Sequence, residues 1–495
     1  MSVGIERIHA YIPRYRIRGS LFQSVWGKPA SGARAVANYD EDALTMGVES
    51  ALPLLTADLR EHVHSVTFAS NTPPYTDKSS AVLLSIACDL TSDVEIADFS
   101  CSLRAGGAAL RTLLDRANAT GTNAIGADVS DADVSSAEAA TGALSRGASG
   151  KALLTVSEIQ VCEPGEALEP GLGDGAVSLV IGSDPFAELV GRVSFSDWIY
   201  DRWTVSQQRF AHTGDARFAS EFGYVKVLQQ AFEKLLAQCQ TTRSQISKVV
   251  YSAPDSKVHK DVQTALDLHP DQAFGRSLAH QIGIAGAAYP FLALAQAFDA
   301  SQPGDLVALL TYGDGADAFL FRINDKIAHR RPQTNRLLAE SFDLAHYGHY
   351  LKFRNLVAQE ELRPFSSEVQ TWRELAVDIR RHGQRCTVCN EVSFPKRRIC
   401  QTCKAKDHME EVRLPDVGTV VTFTRDRVIP SPVGEIWMAV VDFEQGGRFY
   451  GQVTDIEGES LQTGMPLRFT FRRFHEGGGY HNYFWKLRPS AVREG

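Results

Sequence analysis

Up to about residue 325, short apolar runs alternate with stretches of helical spacing, which predicts buried strands alternating with helices. Val63 to Ala69 reads as one such strand, and Ser79 to Leu90 has helical spacing. The pattern then recurs. Ala105-Gly106-Gly107-Ala108-Ala109-Leu110 opens one helix, and Ala285-Gly286-Ala287-Ala288-Tyr289 opens another. The run Ala152-Leu153-Leu154-Thr155-Val156 matches Ala308-Leu309-Leu310-Thr311-Tyr312 as a strand. Gly173-Asp174-Gly175-Ala176 matches Gly313-Asp314-Gly315-Ala316, and each precedes an apolar strand. Elements recurring in one order predict a duplicated α/β domain over 1–325, with halves of about 1–185 and 186–325. The first half carries extra length at Ala117 to Gly150, rich in Ala, Ser, Gly and Asp, which reads as an inserted loop.

Beyond residue 325 the style changes. Residues 326–365 read as a connecting segment anchored by Phe342, Tyr347, Tyr350 and Phe353. A helix expected around Ser367 to Arg381 leads into a cysteine-rich segment, the two making up 366–413. From 414 to 495, Gly418 to Thr424, Ile436 to Phe443, Gly447 to Val453 and Pro466 to Arg472 alternate apolar and polar residues between Gly-containing turns. That is the pattern of a small all-β barrel.

The cysteine-rich segment carries the most specific chemistry. Cys386 and Cys389 form one C-x-x-C pair, Cys400 and Cys403 a second, with ten residues between them. Four thiolates at about 2.3 Å close a tetrahedron around one Zn2+ and leave no position for a catalytic water, so the metal is expected to be structural. Four thiolates also suit rubredoxin-like iron. Lys396, Arg397 and Arg398 lie between the pairs and offset the negative charge.

Composition narrows the partners. The 495 residues have a net charge of −8 and no strongly basic segment, which argues against nucleic acid. The apolar stretch from Gly283 to Phe298 is too short to span a membrane, and the N-terminus lacks the layout of a signal peptide. The remaining cysteines, Cys88, Cys101, Cys162 and Cys239, are scattered, which fits a reducing cytoplasm.

Several stretches resemble the thiolase superfamily, most closely its HMG-CoA synthase and β-ketoacyl synthase III branches. They are Gly4-Ile5 with Tyr11-Ile12-Pro13-Arg14-Tyr15-Arg16, Asp40-Glu41-Asp42-Ala43-Leu44-Thr45-Met46, and the two Gly-Asp-Gly-Ala turns. The C-terminal part resembles the zinc-ribbon/OB-fold proteins that accompany thiolases, on its four cysteines, Phe394-Pro395, Gly418, Thr422, Gly464-Met465 and Arg488-Pro489. The resemblance implies a layered α/β/α/β/α domain followed by a rubredoxin-like zinc ribbon and an OB-fold barrel. It also implies an acyl-CoA substrate, with coenzyme A as the carrier, and a homodimer.

Transferring the family's catalytic positions gives substitutions. Registering Ala105-Gly106 on the family's Cys-x-Ala-Gly puts Leu103 at the nucleophile, with Cys101 two residues early. The family's His falls on Ser252, its Asn on Ile284, and the HMG-CoA synthase Glu on Asn71. An oxyanion hole from the N–H groups of Leu103 and Gly315 needs backbone geometry alone and should survive. Cys101 is either a displaced nucleophile or a small buried residue at a strand end. His280 is either a proton-transfer group or a hydrogen-bonded loop histidine, and Tyr289 either an acid or core. His259 is expected to face solvent. His212, Asp215 and Arg217 resemble a segment lining the acyl pocket, and the alternative is a salt-bridged surface turn. Asp174 and Asp314, repeated in both halves, read as turn residues. Arg472, Arg473, Tyr480, Tyr483 and Trp485 are either contacts for the CoA adenine and phosphates or ordinary barrel surface and rim.

The missing side chains favour cleavage of a carbon–carbon bond at the α-carbon of a thioester, retro-aldol or retro-Claisen, releasing acetyl-CoA. The alternatives are a conventional HMG-CoA synthase-like condensing acyltransferase and a non-catalytic acyl-CoA-binding scaffold for a partner thiolase.

Overall fold

The computed structural model describes residues 2–123, 150–205, 208–358, 366–444, 446–456 and 460–490. The expected loop at Ala117 to Gly150 lies mostly outside the described residues. Its first part continues the helix Ala105–Asn123.

The chain divides into two compact units. The first comprises Met1–Ala37, Met46–Ser85 and Leu90–Tyr347. Its main sheet has ten strands, numbered here along the chain: β1 Gly4–Tyr11, β2 Val63–Ala69, β3 Glu95–Phe99, β4 Lys151–Glu158, β5 Gly175–Gly182, β6 Ala187–Ser196, β7 Lys248–Tyr251, β8 Ala273–Phe274, β9 Leu306–Tyr312 and β10 Gly315–Ile323. Their order is β8-β7-β9-β10-β6-β1-β5-β4-β2-β3. Read outward from the β1–β6 junction, the two halves carry the same sequence of antiparallel and parallel neighbours. The duplication expected from the repeated motifs is therefore a structural one. The junction itself is slight, with Gly4 opposite Glu188 and Ile5 opposite Ala187.

Two helices pack against strands of both halves: α1 Ala105–Asn123 and α2 Tyr289–Asp299. Nearly all of α2 is buried, whereas α1 buries one apolar face and turns Thr112, Arg116 and Asn118 outward. Phe291, Leu292, Leu294 and Phe298 are fully buried, as are Ala109, Leu110 and Leu114. The small residues opening α1 permit the close approach, because a Cβ on Gly106 would come within 2.6 Å of the Phe291 ring. No helix among the described residues is long and apolar enough to cross a membrane.

The second unit comprises Asn38–Thr45, Ile86–Asp89 and Gly348–Gly495. Its barrel closes from five strands in the order Val417–Asp426, Ile436–Asp442, Arg448–Val453, Tyr480–Pro489 and Pro466–Gly477. A three-stranded sheet, Val392–Ser393, His382–Cys386 and Met409–Arg413, carries the cysteine segment. The expected helix from Ser367 to Arg381 is two short ones, Glu368–Arg373 and Leu375–Asp378, and the turn at Arg381 has φ 62°.

The connecting segment is shared between units. Phe342 pairs beside Tyr15, and Tyr347 packs on Phe22 and Trp26 while donating to Glu169 at 2.7 Å. Tyr350 and Phe353 belong to the second unit, where Phe353 packs on Tyr39.

Candidate functional site

The strand β3 ends at Phe99, and the chain turns through Ser100 to Arg104 before α1 begins at Ala105. Within that elbow Cys101 takes φ 69° and is exposed. The reading of Cys101 as a small buried residue is corrected, because the strained turn presents the thiol outward beside the Ser100 hydroxyl at 3.3 Å. Leu103 is half-buried. A Cβ on Gly313, at φ 151°, would come within 3.0 Å of the Leu103 nitrogen and 2.7 Å of the Arg104 nitrogen. Any side chain at 313 would therefore collide with the elbow backbone. Gly315 lies one step further along, paired with Ser196, and its carbonyl accepts from the Gly313 N–H at 3.0 Å.

The elbow is fastened from below by buried charge. Asp317 on β10 has no solvent exposure, and the guanidinium groups of Arg104 and Arg111 approach it at 3.6 and 3.3 Å. Arg104 also donates to the Phe195 carbonyl at 2.6 Å, tying the elbow to β6.

Behind the elbow stands a carboxylate that the motif comparison passed over. Glu158 ends β4 and is fully buried. Its Oε1 accepts from the Asn71 backbone N–H at 2.9 Å and from Asn71 Nδ2 at 3.2 Å, and the same amide donates to the Ser102 carbonyl at 2.9 Å. Its Oε2 accepts from Thr72 Oγ1 at 2.9 Å and Gln160 Nε2 at 3.2 Å. Burial pushes the Glu158 carboxyl up to about 7, against the opposing pull of these donors, the Ala287 backbone and the positive charge of Arg202. A carboxyl at that value accepts and returns protons near neutral pH. Gly286 closes the site on the other side, where an added Cβ would come within 2.5 Å of Gln160 Nε2.

Arg202 comes from a two-stranded hairpin, Arg202–Trp203 paired with His212–Thr213. The adjacent Asp201 carboxyl is raised by burial, although it accepts from Arg202 N–H and Tyr312. Of the residues that either line the acyl pocket or form a surface turn, His212 lies on the opposite strand of this hairpin and Asp215 and Arg217 lie just beyond it. There His212 is exposed and stacked on Trp203 at 6.0 Å, Asp215 caps a helical turn by accepting from Phe218 N–H at 2.8 Å, and Arg217 is exposed.

The other candidates sit as follows. Ser252 lies at the end of β7, its Oγ 3.4 Å from the Tyr312 nitrogen. Ile284 is pinned by its backbone to Gly171 and Gly173. Tyr289 is buried, donates to the Gly275 carbonyl at 2.7 Å, and is held above its ordinary value by burial. His259, expected in solvent, is buried at 2% exposure against Tyr251, and burial lowers it to about 4. The apolar face of its helix turns inward and takes the ring with it. His280 lies against Gly32, in a groove whose lining includes none of the elbow residues. Asp174 holds two backbone N–H groups, Ala37 at 2.7 Å and Gln160 at 2.9 Å, which is a turn role.

In the second unit the residues read as either CoA contacts or barrel surface and rim are engaged within the unit, and the surface reading is corrected for Arg472, Tyr483 and Trp485, which are buried. Arg472 is fully buried and paired with Asp40, Glu41 and Asp455 at 3.2, 2.7 and 2.8 Å. Tyr483 is buried and donates to Asp42 at 2.7 Å, and Trp485 is buried and donates to the Ile379 carbonyl at 2.9 Å. Arg473 donates to the Tyr39 carbonyl at 2.7 Å, and Tyr480 to the Ser366 carbonyl at 2.8 Å. All five are consumed in holding the barrel to the unit's own segments.

The four cysteines of the ribbon come together. Their sulfurs lie within 4.8 Å of one another, with Cys386 to Cys403 at 3.6 Å and Cys389 to Cys400 at 3.5 Å. A tetrahedron with bonds of about 2.3 Å has edges of about 3.8 Å, so the set fits one zinc-sized ion.

Comparison with known proteins places these features. A family profile described as the C-terminal OB-fold domain of ChsH2 matches residues 411–472. A hydroxymethylglutaryl-CoA synthase of Methanopyrus kandleri is 26% identical over 370 residues, covering 71% of this chain and 97% of that protein. The corresponding protein of Methanococcoides burtonii is 28% identical over 359 residues, covering 68% and 93%. Among solved structures, an HMG-CoA synthase complexed with CoA superposes with a TM-score of 0.62 at 18% identity, over 74% of this chain and 95% of that one. MvaS in complex with 3-hydroxy-3-methylglutaryl coenzyme A gives 0.56 at 19%, over 74% and 94%.

Proposed function

We propose that this chain, an HMG-CoA synthase-like member of the thiolase superfamily fused to an OB-fold domain, forms a carbon–carbon bond at the α-carbon of an acyl thioester. The observation that carries the reading is Glu158, a buried carboxyl at about 7 joined to the Cys101 elbow through Asn71.

In this reading the Cys101 thiolate attacks an acyl-CoA carbonyl, the acyl group moves to sulfur, and the CoA thiol leaves with a proton. On the same reading the N–H groups of Leu103 and Gly315 hold the oxygen charge of the tetrahedral intermediate and then of the enolate. Glu158 as carboxylate takes the α-proton. The enolate carbon adds to the β-keto carbonyl of a second acyl thioester, Glu158, now protonated, returns the proton to the new alkoxide, and water then hydrolyses the Cys101 thioester to free the thiol and the product carboxylate. Glu158 thus supplies from β4 the acid/base carboxyl that Asn71 no longer offers. Cleavage, the direction first favoured by the missing side chains, would use the same groups in reverse. The relatives named as synthases favour condensation. The family's homodimer belongs to the same proposal, supported by the exposed edge strand β3.

The ribbon cysteines would hold Zn2+, which when bound supplies structural cross-linking and leaves the chemistry to the elbow.

Intact-mass measurement after mixing with acetyl-CoA tests the reading. One acetyl group is expected on the wild type and none on Cys101→Ser, while Glu158→Gln should acylate yet fail to exchange α-protons with deuterated solvent. Acylation of Cys101→Ser, or unimpaired exchange in Glu158→Gln, would sink it.

A further inference from the structure

Away from the elbow, the first unit has a groove of about 460 Å³ lined in part by Arg16, Arg18, Gly32, His280, Gln281 and Ser341. We infer that this groove is a binding site for a phosphate-bearing small molecule.

Arg16 carries the argument. It is 3% exposed, yet it lines the groove. Its Nη1 donates to the carbonyls of Pro13 and Tyr15, while its Nη2 is buried without a hydrogen-bond partner. A buried guanidinium donor left unpaired costs free energy that an anion in the groove would recover. The local charge points the same way. Arg18 is neutralised by Asp343 at 2.8 Å, and the same carboxylate reaches Arg16 only through space. Burial and the neighbouring Arg18 lower Arg16 to about 10, the mark of a cation short of counter-charge.

The surrounding groups suit an oxyanion. The absence of a side chain at Gly32 leaves room for the His280 ring, since an added Cβ would stand 2.9 Å from its Nδ1. Gln281 and Ser341 add side chains able to donate to further oxygens. Arg16 lies on the strand Tyr15–Arg18, and His280 on the helix Arg276–Ile282, so the donors come from two fixed elements. A phosphate offers several acceptor oxygens to such a convergent set.

The source of the phosphate is open to test, because a free phosphorylated metabolite and the nucleotide end of a CoA thioester present the same group. Titrate the full chain with inorganic pyrophosphate and with adenosine 3′,5′-bisphosphate, at constant ionic strength, by calorimetry. Saturable binding of either compound is expected. It should weaken about tenfold or more in His280→Ala and in Arg16→Met. His280→Ala keeps the test valid if the buried Arg16 variant fails to fold. Preference for the bisphosphate assigns the nucleotide source, and preference for pyrophosphate the free one. Absence of binding by both compounds, or binding unchanged in the folded variants, overturns the inference.

Discussion

Asn71 reaches Glu158 with two donors, its backbone N–H at 2.9 Å and its side-chain amide at 3.2 Å, and the same amide holds the Ser102 carbonyl of the elbow. The side chain that stands where the family's acid/base is expected has become a bridge. It couples the orientation of a buried carboxyl to the turn that carries Cys101.

The raised value of Glu158 makes stability depend on pH. Burial lifts the folded-state carboxyl from its ordinary value of 4.5 to about 7, so between these values the folded chain holds more proton than the unfolded one. The contribution of this group to stability falls as pH rises through that window and is level above it. Glu158→Gln removes the dependence. Urea unfolding at about pH 5 and about pH 8 should show the variant gaining on the wild type at the higher pH. Its turnover should drop by about a hundredfold or more.

Thr72 sets how far that value rises. Its hydroxyl donates to Glu158 Oε2 at 2.9 Å and favours the ionised form. Thr72→Val keeps the shape and removes the donor. The pH–rate midpoint assigned to Glu158 should move upward by about one unit or less, and stability should fall by about 1–3 kcal/mol, because the Ile159 N–H that donates to the hydroxyl at 2.9 Å also loses its partner. A midpoint that stays fixed would mean another group governs the profile.

Arg472 holds the second unit's N-terminal segment to its barrel. The guanidinium is buried among Asp40, Glu41 and Asp455, and Lys486 donates to Asp40 at 2.8 Å. Arg472→Met leaves carboxylates buried without their partner and should cost about 3–5 kcal/mol, read from denaturant unfolding. If these side chains served as a CoA platform, the loss would appear in KM at unchanged stability.

The ribbon should bind one zinc per chain, measurable by elemental analysis, and lose it in Cys386→Ser. Metal removal should raise hydrogen exchange in Met409–Arg413 and His382–Cys386, the strands that flank the sulfurs. Acylation of Cys101 should persist, since no thiolate of the ribbon takes part in it.

Much of the fold was legible because it rests on local periodicity. The run Val63 to Ala69 forms a strand with those bounds, and the two Gly-Asp-Gly-Ala turns introduce β5 and β10. The barrel's last strand, Tyr480–Pro489, was missed. Its Tyr483 and Trp485 read equally as a ligand platform or as barrel surface and rim, and only closure against Pro466–Gly477 buries them. Glu158 left a faint signal, a lone carboxylate ending an apolar strand. Arg202 left none, since its relation to Glu158 depends on a hairpin about 40 residues distant in sequence.

The sequence by itself determined what covalent spacing and local patterning control: the four-cysteine ribbon and the duplicated strands and helices. Only the tertiary structure decided which carboxyl sits behind the Cys101 elbow and in what protonation state. The value of Glu158 comes from desolvation by burial, opposed by groups at residues 71, 72, 202 and 287, and that balance is a property of enclosure that no single stretch of chain encodes.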